Sequence, residues 1–303
     1  DVGGTATFNA NIAAAAFTTN NTVASINLKG ASNTFTASTI FANDGTLTIG
    51  DASSDSFAFN GGLSTTSVGG TVTLNASSIS SSNDAIAFGA VTLGSNVTID
   101  TNATSTAGDI NIGAVTGGSN TLTLSTGNNI ANSDVTASGA ISGVTTLTLI
   151  DVGGIASFAG DVDVTTLTIG NTVANVSLIG SGSSVTNAVT FGNDGTLTIG
   201  DASGDTFTFD GGLTVSTASS TLAGSIDSSN DVISFGAITL AAATTIDTNA
   251  TNTTGDVTIG AVTGNNNNLT LDTTASTGSA SHTFTGNVNL GSGALSVIGD
   301  VVL

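Results

Sequence analysis

An eleven-residue segment, Asn43-Asp44-Gly45-Thr46-Leu47-Thr48-Ile49-Gly50-Asp51-Ala52-Ser53, recurs unchanged at Asn193 to Ser203, 150 positions later. Asp1-Val2-Gly3-Gly4 recurs as Asp151-Val152-Gly153-Gly154 at the same offset. Farther along, Ser81-Ser82-Asn83-Asp84 matches Ser228 to Asp231, and Thr98 to Thr104 matches Thr245 to Thr251, both at an offset of 147. Gly139-Ala140-Ile141-Ser142 resembles Gly293-Ala294-Leu295-Ser296 near the end. A small deletion and a later insertion explain the drift. The chain therefore divides into two superrepeats, 1–150 and 151–303. A fixed internal period means that one structural unit is stacked repeatedly, which constrains the fold more than any single motif does.

The junction Leu149-Ile150-Asp151-Val152-Gly153-Gly154 has no linker, and Val302-Leu303 followed by Asp1-Val2-Gly3-Gly4 would read almost the same way. The expectation is a slice of a longer tandem array, or a subunit that stacks head to tail on copies of itself. The absence of an initial Met and of a visible signal peptide agrees with a mature product or a slice.

A shorter period runs inside each superrepeat. Leu47, Val72, Val97, Leu122 and Leu147 are each 25 residues apart, and Leu167 and Leu197 follow. They sit in segments such as Thr71-Val72-Thr73-Leu74 and Thr146-Leu147-Thr148-Leu149, whose polar–apolar alternation is the period-two signature of a half-buried strand. Helical periodicity is missing. Gly, Asn, Asp and Ser punctuate the strands and suit turns, and the absence of Pro fits a backbone whose N–H groups join ladders. The fold expected is all-β: a parallel β-solenoid of about twelve coils, each of about 20 to 30 residues, in a rod on the order of 60 Å long. A globular β-sandwich also uses short strands, but a steady coil length and a seamless junction favour the solenoid.

Composition narrows the function. One Lys, no Arg and 21 Asp give a net charge of −20, which excludes a nucleic-acid surface or a phosphate clamp. There is no Cys, hence no disulfide or thiolate chemistry, and the one His, His282, allows no multi-His metal site. No apolar run reaches the length of a membrane-spanning helix, so no membrane insertion is expected. Paired carboxylates such as Asp161 and Asp163 could in principle hydrolyse glycosides, but Trp and Tyr, the usual walls of sugar clefts, are absent. Lys29, replaced by Ile179 in the second superrepeat, reads as a solvated surface residue, and His282 reads as a residue of a polar insertion spanning 275–285. A non-enzyme is expected.

The Thr-Leu-Thr-Leu/Ile strands, the Gly-Asn-Asp turns, the Thr-Ile-Asp-Thr-Asn-Ala-Thr segments and the pair Asp109 to Thr116 and Asp256 to Thr263 together resemble filamentous-haemagglutinin-type repeats. Such repeats occur in two-partner-secreted exoproteins and autotransporter passengers. The resemblance covers the whole chain and is one of composition and repetition. It implies a right-handed parallel β-helix, secretion to the cell surface, and a fibrous or adhesive role towards host or neighbouring cells.

Three features could bind something. Asp44, Asp51 and Asp55, with Asp194, Asp201 and Asp205 in the second superrepeat, put carboxylates and turn carbonyls close in sequence, the oxygen donors that calcium takes. The competing reading is that they cap turns. The Thr-x-Thr pairs at 71/73, 121/123, 146/148, 166/168 and 196/198 could form a flat hydroxyl array like that of ice-binding β-helices, broken at Asn96 and Thr98, although Thr is in any case a good strand former. Sequons such as Asn75, Asn96, Asn102 and Asn249 matter only in a host that glycosylates exported proteins. The leading expectation is a segment of an extracellular filament. The alternative is a calcium-stabilised surface-layer or ice-binding β-solenoid.

Overall fold

The computed structural model describes residues 2–104, 108–127, 130–216, 219–249, 254–273 and 280–302. Among the described residues the strand pairings are parallel and there is no helix. The protein is a parallel β-solenoid of about 12 turns. Contacts divide it into two units, Asp1–Ala159 and Gly160–Leu303.

In the first unit the strands of successive coils build three stacks. One stack runs through Val2–Phe8, Val23–Leu28, Leu47–Ile49, Val72–Leu74, Val91–Leu93 and Val115–Thr116 to the start of Ile141–Ile150. A second runs from Ala13–Ala14 through Ser32–Phe35, Ser56–Phe59, Ser78–Ser80, Val97–Asp100 and Thr121–Ser125 to the end of Ile141–Ile150. The third contains Thr39–Ile40, Leu63–Ser64, Ile86–Ala87, Ile110–Ile112, Val135–Ala137 and Ile155–Phe158. The second unit has the same plan, with Val189–Phe191, Leu213–Val215, Ile233–Phe235, Val257–Ile259, Ser281–Phe284 and Asp300–Val302 as its third stack.

Alternation decides which side chains enter the core. In Thr121–Ser125, Leu122 and Leu124 are buried on Val97 and Ile99 of the coil before, and Leu147 and Leu149 of the coil after close over them. Each such burial contributes about 1.5–3 kcal/mol. Phe35 and Phe59 stack as successive rungs, with ring centroids 5.0 Å apart. Close packing also explains the Gly-Ala corners. A Cβ on Gly113 would stand 2.8 Å from the carbonyl carbon of Gly89 on the preceding coil, and one on Gly260 would stand 2.7 Å from that of Gly236.

Two sequence expectations need correction. The 25-residue step from Val72 to Val97 does not stay in one stack. Val72 faces Val91, whereas Val97 opens the strand whose Ile99 faces Ile79 in the second stack. Coil length here is nearer 20 than 25, so a constant spacing stepped over a corner. Nor does His282 lie in a polar loop. It is 0% exposed, at an inward position of Ser281–Phe284 opposite Val257. Alternation in Ser281-His282-Thr283-Phe284 turns it to the core; residues 274–279 of that insertion lie outside the described residues.

Candidate functional site

The six carboxylates expected at a cation site fall at two kinds of turn. Asp55 is buried, and its Oδ2 accepts the N–H groups of Asp51 (2.9 Å) and Ala52 (3.1 Å). Asp205 does the same for Asp201 and Ala202, both at 2.9 Å. Each of these carboxylates therefore closes its own turn. Asp51 and Asp201 are exposed beside them, and Lys29 Nζ stands 3.9 Å from Asp51 Oδ2. Such an exposed pair contributes about 0–1 kcal/mol. Asp44 and Asp194 are also exposed, but at the opposite end of their strands, Leu47–Ile49 and Thr196–Ile199. The structure thus joins Asp51 to Asp55 and Asp201 to Asp205, and leaves Asp44 and Asp194 apart. Among the described residues no group of three or more His or Asp side chains is placed to hold one metal ion. In the Asn-Asp-Gly turns it is the Asn that is buried: Asn43 Nδ2 donates to the carbonyls of Gly45 and Thr46, both at 3.0 Å.

An acidic column that spacing alone does not reveal lies in the second unit. Asp227, Asp247 and Asp272 occupy one register position on three successive coils, beside a hydroxyl column of Ser225, Thr245 and Thr270. Adjacent rungs of a sheet are about 4.8 Å apart. Burial pushes the Asp227 carboxyl above its ordinary range. A hydrogen bond from Ser225 Oγ (2.8 Å) opposes this, and the charge of Asp247 adds to it. Burial likewise raises Asp247, against the N–H of Asn249 and with the charge of Asp272. At Asp163 burial and the nearby Asp161 act together in the same direction. The sequence signal was the recurring apolar-Asp pair in Ile226-Asp227, Ile246-Asp247 and Leu271-Asp272, visible once the register is known.

The Thr residues form single columns on different faces. Thr48, Thr73, Thr92 and Thr116 are in register in the first stack of the first unit, while Thr98, Thr123 and Thr148 belong to the second. The first column is unbroken because Thr73 faces Thr92. Its neighbours are small: Thr71, Ala90 and Ala114 line a shallow depression of about 250 Å³ with Gly70, Thr92 and Thr116. In the second unit Thr198, Thr221, Thr239 and Thr263 form the matching column. Of the sequon residues, Asn96 Oδ1 accepts the Thr121 N–H, and Asn102 and Asn249 turn corners at φ 48° and 47°.

The outermost coils expose what inner coils bury. Val288 and Leu295 are 37% and 43% exposed, whereas Val262 and Leu269, one coil inward, are 2% and 0% exposed. At the other end of the chain Val2 is 41% exposed, and its strand pairs on one side with Val23–Leu28.

Fold and surface together define a β-helical repeat protein. No protein-family model, curated protein or solved structure matches the chain.

Proposed function

We propose that this chain is a non-enzymatic structural segment of a secreted extracellular filament, with an adhesive surface, built by stacking coils end to end. The observation that carries the reading is the in-register parallel stacking itself, in which each coil covers the apolar side chains of the one before, as Leu147 and Leu149 cover Leu122 and Leu124. A parallel coil that is not covered is a template for strand addition. The resemblance to filamentous-haemagglutinin-type repeats supports the same reading, as does the composition. A single Lys and no Arg leave trypsin-like proteases one site, and the lack of Cys, Met, Trp and Tyr removes the side chains most readily oxidised. Negative-stain imaging at neutral pH tests it. Filaments or linear multimers are expected; compact, monodisperse particles at every concentration would overturn the proposal.

A further inference from the structure

The sequence contains a single Asn-Gly pair, Asn60-Gly61, and its twin in the second superrepeat is Asp-Gly. Phe57-Ala58-Phe59-Asn60-Gly61-Gly62-Leu63 returns as Phe207-Thr208-Phe209-Asp210-Gly211-Gly212-Leu213. The two turns are built alike. The Gly62 N–H donates to the Phe59 carbonyl and the Gly212 N–H to the Phe209 carbonyl, both at 2.8 Å, which puts Asn60-Gly61 and Asp210-Gly211 at the centres of β-turns. The Asn60 N–H reaches the Phe35 carbonyl at 2.8 Å, and the Asp210 N–H reaches the Val185 carbonyl at 2.9 Å. Packing imposes the middle glycine. A Cβ on Gly61 would stand 2.5 Å from the Ala37 carbonyl carbon, and one on Gly211 would run into the Ala188 nitrogen. Asn60 and Asp210 are both half-buried. They differ in their side-chain partners: Asp210 Oδ1 accepts from Ser229 Oγ at 3.1 Å, whereas the Asn60 amide has no hydrogen bond among the described residues.

The glycine that packing requires is also the neighbour that lets an asparagine close a ring on its own backbone. The side-chain carbonyl carbon of Asn lies within reach of the next residue's nitrogen, and a glycine there has no side chain to hinder the approach. That nitrogen must be free to attack. After the buried Asn43 and Asn193 it is engaged: the Asp44 N–H donates to the Val23 carbonyl and the Asp194 N–H to the Val173 carbonyl, both at 3.0 Å. The Gly61 N–H donates to no acceptor among the described residues. We propose that Asn60-Gly61 is a self-modification site, where water converts the amide to a carboxylate without an enzyme, and that the turn retains the aspartate formed. The Gly61 nitrogen bonds to Asn60 Cγ, the Cγ–Nδ2 bond breaks, and Nδ2 leaves with the Gly61 proton as ammonia. Water then opens the succinimide. Breaking its N–Cγ bond leaves aspartate; breaking the other ring N–C bond leaves isoaspartate, whose backbone is longer by a methylene. The hydrogen bonds to Phe35 and Phe59 fit the first product and not the second, and Asp210 is a carboxylate held in the same turn. Ser82, the counterpart of Ser229, is the donor for the new carboxylate. One amide becomes one carboxylate, so the net charge moves from −20 to −21.

The test does not depend on filament assembly. The folded chain is held at mildly alkaline pH in water labelled with heavy oxygen, beside a urea-unfolded sample and the variants Asn60→Gln and Asn60→Asp. Peptic peptides are then weighed, and isoaspartate is read by enzymatic methylation. In the folded parent, label is expected to enter Asn60 about tenfold or more faster than any other asparagine. Asn60→Gln takes up none at that residue, because its longer side chain closes a six-membered ring far more slowly. Asn60→Asp keeps the parental strand content and urea midpoint, and methylation is lower in the folded sample than in the unfolded one. Label at Asn60 in the unfolded sample alone would show that the turn shields the amide, and overturns the proposal. So does a folded chain in which another asparagine reacts first. A product that is mainly isoaspartate, or a lowered midpoint in Asn60→Asp, overturns retention by the turn.

Discussion

Thr101 and Thr248 do the same work 147 positions apart. Both are 0% exposed, and each donates its hydroxyl across the neck of a loop, to the Gly108 carbonyl at 2.6 Å and the Gly255 carbonyl at 2.8 Å. A Thr in a β-rich chain reads as an outward strand residue; here it points inward, because the corner after Asp100 or Asp247 needs a donor more than it needs apolar volume. Replacing Thr248 by Val removes the donor, keeps the shape and leaves a buried carbonyl unpaired. The expected cost is about 1–3 kcal/mol, read as a lower urea midpoint, with Thr248→Ser recovering most of it. An unchanged midpoint in Thr248→Val would show that water serves the Gly255 carbonyl equally well. Asn43 and Asp55 likewise acquire their meaning from position: an amide and a carboxylate each hold a turn, and of the two only Asp55 was a candidate cation ligand in the sequence.

At the level of the strand, parallel in-register stacking places like beside like. For Leu122 between Val97 and Leu147 this is favourable, but for Asp247 between Asp227 and Asp272 it costs stability. The folded form holds the Asp227 and Asp247 carboxyls above the ordinary value of 3.8. A raised folded value means that their contribution is fully present below about pH 3.8, the unfolded value, and is lost as pH rises through the folded one. The second unit is therefore expected to be most stable in mild acid and to weaken towards neutrality. Asp247→Asn keeps the acceptor for the Asn249 N–H and removes the charge. At pH 7 it should gain about 0.2–1 kcal/mol, a modest figure because water screens these half-exposed groups. The gain should vanish near pH 3.5. Thermal melts of parent and variant across that range check this, and an equal gain at both ends would count against charge as the cause.

For the molecule as a whole the governing quantity is the net charge of −20 spread over strands that expose Thr, Ser and Asn. Charge of one sign opposes side-by-side association, and salt shortens its reach to about 8 Å at physiological ionic strength. If the chain forms the filaments proposed above, light scattering during a salt titration should rise with ionic strength as they bundle, while end-to-end length changes little. Scattering that falls with added salt would mean that the lateral contacts are themselves ionic. Much of this architecture could be read from the chain directly: the 150-residue superrepeat, the alternation in Thr-Leu-Thr-Leu and the lack of Pro suffice for a parallel solenoid, because a pattern that repeats in sequence must repeat in space. The stack to which each strand belongs could not be read that way. Coil length varies, so Val97 left the column of Val72, and only the paired backbone shows it. The same holds for the acidic column and the buried His282. Alternation determines that a side chain points in or out, but which side chain it then meets depends on register between coils some twenty residues apart, and register is settled by packing.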